Sequence, residues 1–332
     1  MMSEDLVFDH EQVSEHGWEI YEGTPLDVRV VIAGIPRAVK DGFRLEEVPW
    51  SRFGHAYGSG QDVPEQLEGL RSPDSESAEW ALRRLWGSVV HQGTVGSVAP
   101  LTVPFLVRLA ADPSVHHRAQ LLGLAAAAAR REHWGFGTRD TFLLVTPQEE
   151  FCDNNGYAMH WSIEASRDAV TADCDLVLGL LHDPDPEIRA SACYTLATAS
   201  GETDSIAVAL RAVLAIEQNP IVRASLVLAI AELGREHAES QAAAWAEALR
   251  TDSAQSADVR VIAALAWLCL TDVPVPDELR TTLDVLLTDD LAGVLNRVAW
   301  IKHVDDADGL ARTLGQMLDG AQPGVPWEDP WD

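Results

Sequence analysis

The hydrophobic positions in the middle and C-terminal half of the chain recur with a helical period, and an arginine marks the same point of each repeat. Arg189 stands in DPDPEIRASACYTLA, Arg223 in EQNPIVRASLVLAIAEL and Arg260 in SADVRVIAALAWLCL, at separations of 34 and 37 residues. Two short helices and two turns occupy that length. Ile188, Val222 and Val259 stand one residue before the arginines, Cys193, Val227 and Ala264 four after, and Leu196, Ile230 and Trp267 seven after. These offsets fall on one stripe of a 3.6-residue helix. Second helices are predicted between them, over 206–215, 241–250 and 277–287.

Turn chemistry agrees with this division. Pro184 and Pro186 stand where one helix stops and the next starts, and Asn219-Pro220 repeats the arrangement. Proline is tolerated in a first helical turn because its missing N–H has no partner there, and Asp183, Asp185 and Asn219 are capping residues. The arginine is expected to tie neighbouring repeats through an acid or a helix C-terminal carbonyl. Arg118 lies 71 residues before Arg189, and Arg297 lies 37 after Arg260, each with weaker columns. The pattern predicts an all-α fold: a right-handed α-solenoid of HEAT-like helical repeats with a non-repeating N-terminal segment and one inserted loop. Residues 1–70 are expected to dock on a solenoid at 71–320. A capping helix is expected at 307–319, with 321–332 as an acidic, mobile tail.

Two segments depart from the repeat. The stretch VPWSRFGHAYGSGQDVPEQLEGL precedes WALRRLWGSVVHQGTVGSVAPLTVPFLVRLAADP. Together with the repeats they resemble a bacterial, largely actinobacterial, group of HEAT-repeat proteins sharing W-x-x-x-x-HAYG…DVP and HQGTV…VPFL segments. The resemblance implies an α-solenoid, and it brings no agreed activity or catalytic residues. In that group an aromatic usually follows HQGTV; here Gly96 does.

Helices are predicted over 76–90 and 98–111, with Gly93 closing the first, Thr94 capping the second and His91 on a terminal carbonyl. His91 and Gln92 are also candidate ligand-binding residues. Trp50, His55 and Tyr57 either dock the N-terminal segment or line a site. The insert, 132–162, carries Trp134, Tyr157 and Trp161 among Asp140, Asp153 and His160. It either projects as a binding loop or folds back over the repeats. Residues 28–33 form a short β-branched run that starts either a strand or a helix.

Charge narrows the partners. Against 52 Asp and Glu stand 24 Lys and Arg, a formal net charge of −28, and the lysines are Lys40 and Lys302 alone. Such a field repels phosphate backbones, which disfavours nucleic acid and a helical-repeat DNA glycosylase, and it attracts basic proteins. Acidity also simply keeps a protein soluble. Cys152, Cys174, Cys193 and Cys269 form no C-x-x-C pair and read as buried thiols of a cytoplasmic protein. No cofactor, metal or membrane segment is expected, and no H-E-x-x-H, G-x-S-x-G or P-loop occurs. The expected function is a non-catalytic scaffold binding a protein partner through the solenoid face and the insert, one version being an immunity-like inhibitor of a basic toxin. The alternative is a small-molecule-binding protein or enzyme with a pocket near the insert, His91 and Trp50.

Overall fold

The computed structural model describes residues 26–131, 137–146, 151–153, 155–304 and 309–319. Residues 1–25, Trp134 and the 321–332 tail lie outside them. Two compact units arise, the first from described residues within 1–131, 146–177 and 198–201, the second from those within 132–145, 178–197 and 202–332.

The first unit opens with α1 (Val28–Gly34) and α2 (Arg37–Asp41). The β-branched run is thus a helix, because the Asp27 carboxylate caps it through the Arg29 N–H and Val28 and Ile32, four apart, are its buried face. Two short hairpins follow, β1 (Gly54–His55) with β2 (Gly58–Ser59), and β3 (Val90–His91) with β4 (Thr94–Val95). Between them lie α3 (Val63–Gly69) and α4 (Ser75–Val89), and after them α5 (Ala99–Ala111), α6 (Arg118–Ala128) and α7 (Met159–Ala172). The division between the units falls within α8 (Cys174–Leu180).

The second unit is the repeat itself. First helices α9 (Pro186–Leu196), α11 (Pro220–Glu236) and α13 (Ala257–Leu270) alternate with second helices α10 (Thr203–Leu214), α12 (Ala242–Thr251) and α14 (Asp277–Leu286). All nine column residues around the marker arginines are buried. Successive helix pairs stacked through these stripes make the fold an α-solenoid. Asp185 caps α9 through the Glu187 N–H, and Asn219 caps α11 through the Ile221 and Val222 N–H groups, with Pro186 and Pro220 in the first turns. The chain then passes through α15 (Asp289–Leu295), α16 (Ala299–Val304) and α17 (Gly309–Asp319).

The marker arginines solve one geometric problem in two ways. Arg189 grips Glu217 with Nε and Nη2, at 2.8 and 3.1 Å, and gives Nη1 to the Asp183 carbonyl. Arg223 grips Asp258 in the same forked manner, at 2.8 and 3.0 Å. Arg260 instead donates Nε to the Arg250 carbonyl at the end of α12, and in the first unit Arg118 donates to the Ala110 carbonyl near the end of α5. Burial would raise the Glu217 carboxyl, but the Arg189 guanidinium and the Asn219 and Gln218 N–H groups outweigh it and hold the carboxyl below its ordinary value. Arg297 departs from the pattern. It sits between α15 and α16, exposed, and its contact with Glu187 is 3.6 Å, so the last repeat keeps only the apolar columns Ile301 and Val304.

Cutting Arg223 back to alanine leaves the buried Asp258 carboxylate without its partner. The expected loss is about 3 kcal/mol in chemical denaturation. Arg223→Ala combined with Asp258→Ala is expected to cost less than Arg223→Ala alone. Equal or greater loss in the double variant would mean that the pair is incidental.

Candidate functional site

The motif residues of the first unit converge where its two hairpins cross. HQGT is not a helix end: it is a tight hairpin whose central residues, Gln92 and Gly93, both have positive φ, 47° and 81°. That left-handed pair matches the twist of the flanking strands, and glycine at its second position adopts it without strain. Thr94 does not cap α5; its hydroxyl donates to the His91 carbonyl across the turn, at 2.7 Å. HAYG forms the other hairpin, and the two are laced together. Gly54 N–H donates to Ser97 Oγ at 2.8 Å, Val98 N–H to the Gly54 carbonyl at 3.0 Å, and Ala56 N–H to the Ser88 carbonyl at 3.1 Å. A Cβ on Gly96 would lie 2.9 Å from the Gly54 carbonyl oxygen and 3.1 Å from the His55 Cα. This close crossing is why an aromatic cannot occupy the position in this chain.

His55 is buried beneath the first hairpin. Its Nδ1 accepts the Tyr57 N–H at 3.1 Å, so in the neutral ring Nε2 carries the proton and donates to Asp62 Oδ1 at 2.8 Å. Gln66 donates to the other Asp62 oxygen at 2.8 Å. Both ring nitrogens are engaged, which makes His55 a strut. His91 donates Nδ1–H to the Gly87 carbonyl, at 3.0 Å, as expected for a histidine on a helix-terminal carbonyl. Tyr57, 72% exposed, packs edge-on against the His91 ring at 5.3 Å between centroids. Gln92 is exposed beside it.

The described end of the insert, 151–158, belongs to the same knot. Asn155 Nδ2 donates to the His55 carbonyl at 2.9 Å. Asp153 accepts N–H groups from Asn155 (2.8 Å) and Tyr157 (2.9 Å) on Oδ1 and from Ser97 (3.3 Å) on Oδ2. Burial pushes its carboxyl up to about 6, opposed by those three N–H donors. Tyr157 is fully buried; its hydroxyl donates to the Leu26 carbonyl and accepts the Val28 N–H, which fixes α1. Trp161 stacks under the Arg29 guanidinium at 4.7 Å, and Arg29 also pairs with Glu164 at 2.7 Å. His160 is half-exposed, with Nδ1 buried and unpartnered. Residues 159–162 are the first turn of α7.

Trp50 stands apart from the knot. Its indole N–H donates to the Leu45 carbonyl at 2.7 Å, and its ring meets Phe105 at 5.9 Å. Asp140 belongs to the second unit. Its side chain is exposed and its carbonyl accepts from Arg235 at 2.7 Å, which clamps 137–145 onto the repeats, with Phe142, Leu143 and Val145 fully buried. The described part of the insert therefore folds back instead of projecting. Cys193 and Cys269 are buried, and burial pushes the Cys269 thiol up to about 12; Cys152 and Cys174 are half-buried, not fully buried. Among the described residues no group of three or more His, Cys, Asp or Glu is placed to hold a metal ion, and no helix is long and apolar enough to cross a membrane.

The family model of the HEAT repeat matches residues 174–200, the unit marked by Arg189. Among solved structures, a designed armadillo repeat protein in complex with the peptide (KR)4 is similar at 18% identity and a TM-score of 0.40, covering 78% of this chain and 100% of that one. No curated protein matches.

Sequence reasoning missed Asp62 and Asp153 as the organisers of this region, because an acid seven residues after His55, or 56 after Ser97, carries no periodic signal. It also missed Trp80, which had one. Trp80 lies off the apolar stripe of α4 made by Ala78, Ala81, Leu82, Leu85 and Val89, and it is 55% exposed.

The sign of the Asp153 effect follows from its raised value. A folded carboxyl above its ordinary 3.8 stabilises fully below that pH, and the contribution is lost as pH rises through about 6. Asp153→Asn removes this ionisation. The stability of the unaltered protein relative to the variant is expected to fall by about 2 kcal/mol between about pH 4 and about pH 7. A difference independent of pH would show that Asp153 does not ionise in that range.

Proposed function

We propose that this chain is a non-catalytic interaction protein of the cytoplasm that binds a basic protein partner. Helical-repeat folds of HEAT and armadillo type commonly mediate protein–protein interaction, because stacked repeats present a long continuous surface. The observation that carries the reading is how charge is distributed. Cations are scarce, and Arg108, Arg189 and Arg223 are held in ion pairs with the largely buried carboxylates Asp173, Glu217 and Asp258. The net charge is −28, and among the described residues most of the acids are exposed. Such a surface speeds encounter with cationic proteins and rejects acidic ones.

The finer reading is an immunity-like inhibitor that covers the active site of a basic toxin, within the bacterial group suggested by the HAYG and HQGTV segments. It uses the solenoid face of 71–320, with 1–70 docked on it and the 132–162 insert alongside. The small-molecule alternative, with a pocket near the insert, His91 and Trp50, has less support. The Trp50 indole N–H, both His55 nitrogens and the Tyr157 hydroxyl are all committed to protein partners.

The test is affinity purification with the full chain, followed by measurement of each recovered partner's affinity against salt. A basic partner whose affinity falls at least tenfold from about 50 to about 300 mM salt is expected. Partners that are all neutral or acidic, or binding insensitive to salt, would end the reading.

A further inference from the structure

Two surface grooves of the first unit run along adjacent faces of α3. One, of about 620 Å³, lies against α4 and has the exposed Trp80 in its wall, with Gly69 and Ala81 at its base. The other, of about 460 Å³, is largely apolar, lined by Phe43, Leu45, Val48, Trp50 and Pro64. They share Glu65. Their rims carry five carboxylates, Glu46, Glu65, Glu68, Asp74 and Glu76, against the guanidiniums of Arg84 in the first groove and of Arg71, 5.0 Å over the Phe43 ring, beside the second.

Two of these five acids already have partners. Glu68 pairs with Arg71 at 3.1 Å, and Asp74 accepts the Ser77 N–H and hydroxyl as the cap of α4. Glu46, Glu65 and Glu76 do not: all three are exposed, and none makes an ion pair with a described residue. Neighbouring like charges without cations repel, and they persist only at a cost that a cationic ligand would relieve. Trp80 adds direction. Its ring already takes a guanidinium, that of Arg84 at 4.7 Å, while more than half of the side chain's surface stays open. Exposed indole beside carboxylates is the environment an arginine side chain matches, with its flat face on the ring and its N–H fork on the acids.

We infer that these two grooves are the docking track for an extended, arginine-bearing segment of the protein partner, an inference that rests on the basic-partner reading above. A helix with its side chains is about 10 Å across, which three residues of a polyproline II chain, about 9 Å, nearly span. In polyproline II geometry, with about 3.1 Å per residue and every third side chain on one face, arginines three residues apart reach both grooves, one beside Trp80 and Glu76, the other over the Phe43–Trp50 floor beside Glu46. Glu65 between them serves both. Arg84 is the built-in competitor of the first, and Arg71, over the Phe43 ring, of the second.

The experiment is fluorescence anisotropy with a labelled peptide of about eight residues, arginine at every third position and serine elsewhere, on the full chain. Glu65→Gln with Glu76→Gln is expected to weaken binding about tenfold and to lower its salt dependence, and Trp80→Ala about fivefold. Arg84→Ala is expected to strengthen it. All these side chains are exposed, and circular dichroism verifies that each variant folds. Asp289→Asn with Asp290→Asn removes the same charge from α15 and is expected to leave affinity unchanged. Equal weakening by that control, an unaffected Trp80→Ala variant, or no binding by the unaltered chain would overturn the docking track. So would spermidine competing equally well with and without the groove carboxylates, since that is a diffuse cation trap. If the groove variants retain salt-dependent binding of a basic protein, the track fails and the wider function stands. If no basic protein binds while the peptide binds at α3, the reverse holds.

Discussion

Stacked helix pairs have a weak point at their rims. Apolar stripes hold one helix against the next, but they slide, and the backbone groups at each turn need partners. In this chain a single arginine at the start of a helix does both jobs. Arg189 and Arg223 reach forward to Glu217 and Asp258, while Arg118 and Arg260 reach back to the carbonyls of Ala110 and Arg250. A planar guanidinium suits the position because its donors fan out in one plane, so that it holds a carboxylate through two bonds or a carbonyl while its stem packs on the apolar stripe. Glu217 shows how tightly the rim is knit. It takes the Arg189 fork and also the N–H groups of Gln218 and Asn219, just before Asn219 caps α11.

This device shapes the electrostatics. A chain with few cations that commits arginines to its own rims presents the remaining acids to solvent. The fold's need for bidentate donors and the surface's negative field are two aspects of one composition. The field is uneven, because some rim acids are neutralised in place while Glu46, Glu65 and Glu76 are not.

The first unit is held by a different principle. Its two hairpins are too short to be stable alone, and they are joined by hydrogen bonds through the Ser97 hydroxyl, the Gly54 backbone and the Ser88 carbonyl and by a buried carboxylate. Asp153 gathers three N–H groups from 97, 155 and 157, and Tyr157 then anchors α1. A low-dielectric interior makes such a network rigid when it is complete, and costly when one member is lost. The histidines and aromatics that look chemical in the sequence are mostly members of this frame, and only Tyr57 and Gln92 among its motif residues face outward.

The repeat was legible from residues alone because helical stacking writes a local code: an apolar column every three or four positions, a proline and a cap at each start, and an arginine in a fixed column. The prolines and caps marked each junction, and the second helices fell within about three residues of the expected bounds. Local reasoning still misjudged HQGT, where Gly93 has the expected left-handed backbone but sits in a hairpin turn. A glycine after a helix serves either purpose, and pairing with 94–95 decides which. What only the tertiary structure settled is everything joined across long sequence separations: His55 to Asp62 and Asn155, Asp153 to Ser97, the inward fold of the insert, and the grooves beside α3. No periodicity encodes these contacts. They arise because buried polar groups must find partners wherever the packed helices bring them, and the chain's order does not record that meeting.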